Sequence, residues 1–173
     1  MYYFYNPNAK PGMTTFTGDY PCRLDDKGRV LLPSAFIKQM AAGIQERFVL
    51  KKDIFESCLV LYPMMEWERQ TQILRQNTNP YNREHNQFLR GFFKGMADLT
   101  LDASNRLLIP KRLLEEIGAD REIVMAGQLG RIEIWARDAY DTIESGGETI
   151  AHLAEKIMGN LNQGGMPDKS AGG

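Results

Sequence analysis

Two matched pairs of residues in this 173-residue chain have the types and spacing for chemistry: Asp25 with Arg29, and Asp102 with Arg106. Three uses of such a pair can be weighed. Related carboxylates that meet on a twofold axis can share a proton as an acid–base dyad. Here each Asp is followed four residues later by an Arg that keeps it ionised, and the Asp-Thr/Ser-Gly loop of aspartic proteases is absent. A pair can also brace its own turn, which is worth at most about 1 kcal/mol when exposed. Finally, a carboxylate can hold a guanidinium fork in the pose that reaches O6 and N7 of guanine together. Spacing leaves bracing and DNA contact both open. In the DNA reading, Lys27 and Arg23 add phosphate contacts, which position without specifying sequence. His85 and His152 are isolated histidines on helical segments and read as surface or packing residues. Cys22 and Cys58 make neither a disulfide framework nor a metal spacing. No Gly-rich phosphate loop is present. The expectation is therefore no catalytic residue, no metal, no cofactor and no small-molecule substrate.

The elements that carry these pairs are duplicated. Leu24-Asp25-Asp26-Lys27-Gly28-Arg29-Val30-Leu31-Leu32-Pro33 returns as Leu101-Asp102-Ala103-Ser104-Asn105-Arg106-Leu107-Leu108-Ile109-Pro110. Phe36, Ile37 and Met40 answer to Leu113, Leu114 and Ile117, the spacing of one helix face. Tyr20–Leu24 reads as a strand, Asp25–Gly28 as a turn and Arg29–Leu32 as a second strand, together a hairpin with an Arg just past its tip. Asn105, the next-best occupant of the left-handed region, stands in place of Gly28. Pro33 opens a helix from Ser34 to Ala42, stopped by Gly43. Strands follow at 47–52 and 57–62, then a helix from Met64 to Arg75 with Trp67, Ile73 and Leu74 inward. The second copy has strands at 96–101, 106–109, 122–126 and 131–135, with helices at 110–117 and 137–143. Each half reads β-β-α-β-β-α, and the second is shorter by four residues in the part equivalent to 43–58.

The expected divisions are an arm at 1–16, a first unit at 17–67, connecting helices at 68–94, a second unit at 95–143, an amphipathic helix at 148–162 and a disordered tail at 163–173. Tyr2, Tyr3, Phe4 and Tyr5 either dock on something or belong to a frayed terminus. The stripe Ile150, Leu153, Ala154, Ile157 and Leu161 suits a partner subunit. No apolar run approaches the roughly 20 residues of a membrane span, and the chain starts without a signal-peptide pattern. The formal net charge of −1 means that nucleic-acid binding must come from locally gathered basic groups.

The stretch from about Gly18 to Tyr140 resembles the MraZ family. The resemblance rests on the Asp-x-x-x-Arg signature in both halves, on Leu59-Val60-Leu61-Tyr62-Pro63 with Glu66-Trp67-Glu68, and on Arg131-Ile132-Glu133-Ile134-Trp135. It implies an α+β fold: two SpoVT/AbrB-like units joined as a pseudo-twofold, swapped-hairpin β-barrel with flanking helices. It also implies a homo-oligomeric ring that binds G-rich direct repeats of double-stranded DNA in the promoter of the division and cell-wall gene cluster. The implied role is a repressor, located in the cytoplasm and nucleoid. Arg29, Arg106, Lys27, Arg23, Asp25 and Asp102 are the expected DNA-binding residues. Ser104-Asn105 departs from the family's usual Gly before Arg, which makes Arg29 the stronger candidate for base contact. A non-catalytic, antitoxin-like partner-binding module of the same fold is the alternative.

Overall fold

The computed structural model describes residues 14–40, 47–143 and 148–159. By contact the chain divides into two units, Met1–Tyr140 and Asp141–Gly173. The aromatic cluster at 2–5, the Ala42–Gly43 helix stop, Gly146-Gly147 and the tail from 163 lie outside the described residues.

The first unit holds β1 (Asp19–Arg23), β2 (Arg29–Leu31), α1 (Ser34–Gln39), β3 (Arg47–Lys52), β4 (Leu59–Pro63) and α2 (Met64–Asn77). It continues through α3 (Arg83–Phe93), β5 (Ala97–Thr100), β6 (Arg106–Leu108), α4 (Lys111–Glu116), β7 (Glu122–Gln128) and β8 (Arg131–Ala136). A short α5 (Arg137–Asp141) follows β8. The fold is α+β and mostly antiparallel, with the β-β-α-β-β-α order written twice.

The local hairpin reading is corrected here, in favour of the swapped hairpin that the family resemblance implies. β1 and β2 flank the Asp25 turn but do not pair with each other. β1 pairs with β7 of the other half, β5 pairs with β3 of the first half, and β2 pairs with β6, its own repeat equivalent. The hairpin is therefore opened and exchanged between the halves. The duplicated strands supply matched partners: β1 runs along five residues of β7 and β2 along three of β6. Six strands form one sheet in the order β1-β7-β8-β4-β3-β5, and β2-β6 form a second.

The register carries the symmetry. Val30 pairs with Leu107 and Val60 with Glu133, and each pair is a residue and its repeat equivalent. Only a pseudo-twofold axis through both pairs gives that result. The shortening of the second copy is partly in the strand-to-strand turn. Residues 53–58 lie within the Lys52–Leu59 pair, whereas only 128–131 lie within the equivalent Gly127–Ile132 pair.

Strand alternation builds two apolar layers. Phe48, Leu50, Leu59, Leu61, Ile123, Met125, Ile132 and Ile134 face Val30 and Leu107 of the small sheet, Phe36 of α1 and Leu113 of α4. Each fully buried side chain of this kind contributes roughly 1.5–3 kcal/mol of gross transfer free energy. Phe16, placed in the arm by the sequence reading, is buried against Phe36 with ring centroids 5.5 Å apart. Gly127 permits this, because a Cβ there would stand 2.6 Å from the Phe16 backbone. On the sheet's other face, Val49, Val60 and Tyr62 meet Trp67 of α2 and Phe92 of α3. Lys51 is buried at the edge of this cluster, its Nζ 4.2 Å from the Phe92 ring centroid and donating to the Lys52 carbonyl at 2.7 Å. Burial lowers its pKa.

Several boundaries differ from expectation. α1 ends at Gln39, where Met40 turns extended. Ile73 is exposed on α2, not inward. Pro33, Pro63 and Pro110 occupy the N-cap positions of α1, α2 and α4, so each helix starts where its strand ends. In the second unit, α6 (Ile150–Met158) is capped by Thr149, which accepts from the His152 N–H at 3.3 Å.

Candidate nucleic-acid interface

Each Asp-x-x-x-Arg turn is a closed set of hydrogen bonds. The Asp25 N–H donates to the Arg29 carbonyl at 2.9 Å, and the Gly28 N–H donates to the Asp25 carbonyl at 3.1 Å. Asp25 Oδ1 accepts from the backbone N–H of Lys27 and of Arg29, both at 2.9 Å. Asp25 Oδ2 accepts from Arg29 Nε at 2.7 Å. The second turn repeats this with Ser104 N–H and Arg106 N–H on Asp102 Oδ1 at 2.9 Å, and Arg106 Nε on Oδ2 at 2.9 Å. Gly28 lies at φ 82° and Asn105 at φ 58°, so the exchange of Gly for Asn leaves the turn conformation unchanged.

The electrostatics follow from this geometry. The Arg29 backbone N–H, then the Arg29 side chain and the Lys27 N–H, hold the Asp25 carboxyl below its ordinary pKa. The Arg106 and Ser104 backbone groups, then the Arg106 side chain, do the same for Asp102. Both carboxylates are therefore held charged, the opposite of what a shared-proton dyad needs. Each Arg is fastened through Nε. Among the described residues no hydrogen bond reaches the terminal nitrogens of either guanidinium, and the side chains are 32% and 36% exposed.

The β2–β6 ladder brings the two turns together. Arg29 lies opposite Leu108 and Leu31 opposite Arg106. Residues directly opposite, or two apart on one strand, share a face. Arg29, Leu31, Arg106 and Leu108 thus form one outward face, while Val30 and Leu107 point into the core. Lys27 is exposed at the first turn's tip, and among the described residues its side chain has no ion pair. Its neighbour Asp26 is ion-paired with Arg121. Arg23 ends β1 on an exposed position and lines a cleft with Val30, Leu31 and Pro33. The sequence reading missed Leu31, Leu108 and Arg121. Alternation about Val30 and Leu107 signals the two leucines, but only once β2 and β6 are known to pair.

The remaining chemistry-bearing residues have local roles. His85 Nδ1 accepts from the Asn79 N–H at 2.8 Å, closing the α2–α3 connection. Cys58 is fully buried, and burial with nearby Glu133 pushes its thiol up to about 12.

The family model for the MraZ protein, which carries an antitoxin-like description, matches residues 15–90 and again 92–157. The boundary between the two matches falls within α3, between the two β-β-α-β-β-α halves. A transcriptional regulator MraZ of Christiangramia forsetii is 41% identical over 152 residues, covering 86% of this chain and 96% of its own. One from Flavobacterium psychrophilum is 40% identical over 151 residues, covering 87% and 96%. One from Bacteroides fragilis is 34% identical over 146 residues, covering 84% and 92%. With both halves matched and identity spread over most of its length, the chain belongs to the MraZ family.

Proposed function

We propose that the protein is a sequence-specific DNA-binding transcriptional regulator, with Arg29 and Arg106 as its base-contacting residues. The observation that carries this reading is the outward face of the β2–β6 ladder, where two guanidinium groups are each fastened through Nε, with no hydrogen bond to their terminal nitrogens among the described residues. A two-stranded ribbon fits the major groove, and a pre-oriented Arg fork matches guanine O6 and N7. Asp25 and Asp102 position the forks. Lys27 and Arg23 supply phosphate contacts. The relatives' shared name, transcriptional regulator, supports the same role.

The finer proposal is repression of the division and cell-wall gene cluster through G-rich direct repeats, read by a ring of identical subunits in the cytoplasm and nucleoid. A ring lets modest contacts add through effective concentration. The antitoxin-like description of the family favours a second reading, a partner-binding module without DNA. Gel-shift titration against the DNA upstream of the protein's own coding region separates the two. Arg29→Ala is expected to abolish specific binding, with circular dichroism and sedimentation unchanged. An Arg29→Ala protein that is unfolded assigns the pair to bracing. Failure of the wild type to prefer this fragment over unrelated DNA removes the regulator reading.

A further inference from the structure

We propose that Leu31 and Leu108 are specificity residues that contact the C5-methyl groups of thymine, so that the ladder face reads thymine as well as guanine. This rests on the DNA-binding reading above and goes beyond it in naming a second base and a second chemistry.

The ladder's hydrogen bonds set which side chains stand closest. The Leu32 N–H donates to the Asn105 carbonyl at 2.9 Å and the Ile109 N–H to the Gly28 carbonyl at 3.0 Å. These bonds bracket the Leu31–Arg106 and Arg29–Leu108 pairs, which are therefore the non-hydrogen-bonded pairs of the ladder, where opposite side chains stand closest. Each Leu is thus set against the stem of an Arg from the other half. The outward face is a four-residue lattice in which charge and hydrocarbon alternate.

Both leucines are well exposed, at 59% and 55%. The adjacent Val30 and Leu107 already fill the core side of the ladder, so the outer pair has no packing duty there. Any surface docked on the two arginines must also meet the two leucines. On the floor of the major groove, the one apolar group offered to such a side chain is the thymine methyl. Spacing agrees with this. Residues two apart on a strand are about 6.8 Å apart, which is about two base steps along one DNA strand. A strand following the groove therefore sets Arg29 and Leu31 on bases two steps apart, and Arg106 and Leu108 do the same on the symmetry-related strand.

The test uses two versions of the fragment upstream of the protein's coding region, one synthesised with dTTP and one with dUTP. Uracil keeps every hydrogen-bonding group and loses only the methyl. Wild-type protein is expected to bind the uracil fragment more weakly, on the order of fourfold for each contacted methyl. Leu31→Ala and Leu108→Ala are each expected to bind the thymine fragment more weakly than wild type and to lose part of the preference for it, and the double variant to lose it all. Leu31→Met, which keeps the apolar volume, should retain it. Equal wild-type binding to both fragments overturns the leucine proposal and leaves the arginine reading standing. Absence of preference for either fragment over unrelated DNA overturns both. If the double alanine variant keeps the thymine preference, or the alanine variants alter sedimentation while binding DNA as wild type does, the leucines are not base contacts.

Discussion

At the residue scale, the sequence pairs each Asp with its Arg but does not reveal how much of the pairing is backbone. The Asp25 carboxylate accepts three hydrogen bonds, two of them from main-chain N–H groups. The carboxylate is thus a turn-closing group first and an Arg holder second. Its depressed pKa has a definite sign in linkage. A carboxyl held below its unfolded value, about 3.9 for Asp, contributes stability that is present above that value and lost as pH falls through the lower folded value. Asp25→Asn removes the charge and keeps one acceptor. The urea midpoint of this variant should lie below that of wild type by a constant amount at neutral and mildly acidic pH. The gap should begin to narrow as pH falls below about 4 and close below the lowered folded value, where wild type also carries a neutral side chain. A gap that persists unchanged at the lowest pH would mean that shape, not charge, sets the contribution of Asp25. Asp102 titrates in both proteins and cancels from the comparison.

At the element scale, the β2–β6 ladder is where structure and sequence part company. The repeat, the turn residues, the Pro helix starts and the strand order of each half were legible, because each rests on local chemistry: Gly28 at positive φ, Asp25 bonding its own backbone, Pro33 and Pro110 at helix entry. The exchange of strands between halves is not a local property. Tyr20–Leu24 and Arg29–Leu32 have the pattern of a hairpin, and nothing within them says that their partners lie in the other half. The same holds for Ile73, whose helical spacing places it inward although the α2–α3 pair leaves it exposed. The candidate site was legible as six residues. The face that unites two of them, Arg29 and Arg106, with Leu31 and Leu108 was not, since the leucines acquire meaning only from the register. Neighbouring residues on opposite faces of β6 check that register. Leu107 is fully buried and Leu108 is not, so Leu107→Ala should cost about 2–5 kcal/mol in denaturant unfolding. Leu108→Ala should stay within about 0.5 kcal/mol of wild type. Reversed costs, with Leu108→Ala the more damaging, would place the strand one residue out of this register.

At the scale of the whole molecule, charge is the constraint that a DNA-binding reading must meet. The chain has 21 basic and 22 acidic residues, so attraction to a polyanion cannot come from net charge and must come from where cations are placed. The fold spends many of its charges on one another: Arg121 with Asp26, Arg47 with Asp98, Arg69 with Glu66, and Lys111 with Glu115. Lys27 is set differently, exposed at a turn tip with no side-chain ion pair among the described residues. Base contact and phosphate contact leave different marks. Each neutralised phosphate contributes about −0.9 to the slope of log affinity against log salt. Lys27→Ala should weaken binding to specific and unrelated fragments alike and reduce that slope by about 1 for every subunit engaged. Arg29→Ala should instead bring the specific fragment down to the affinity of unrelated DNA. Titrations of both variants at several salt concentrations measure the two effects side by side. A Lys27→Ala protein with weaker binding but the wild-type slope would mean that Lys27 acts on the fold or on assembly. The positive charge at the interface would then have to come from the arginines alone.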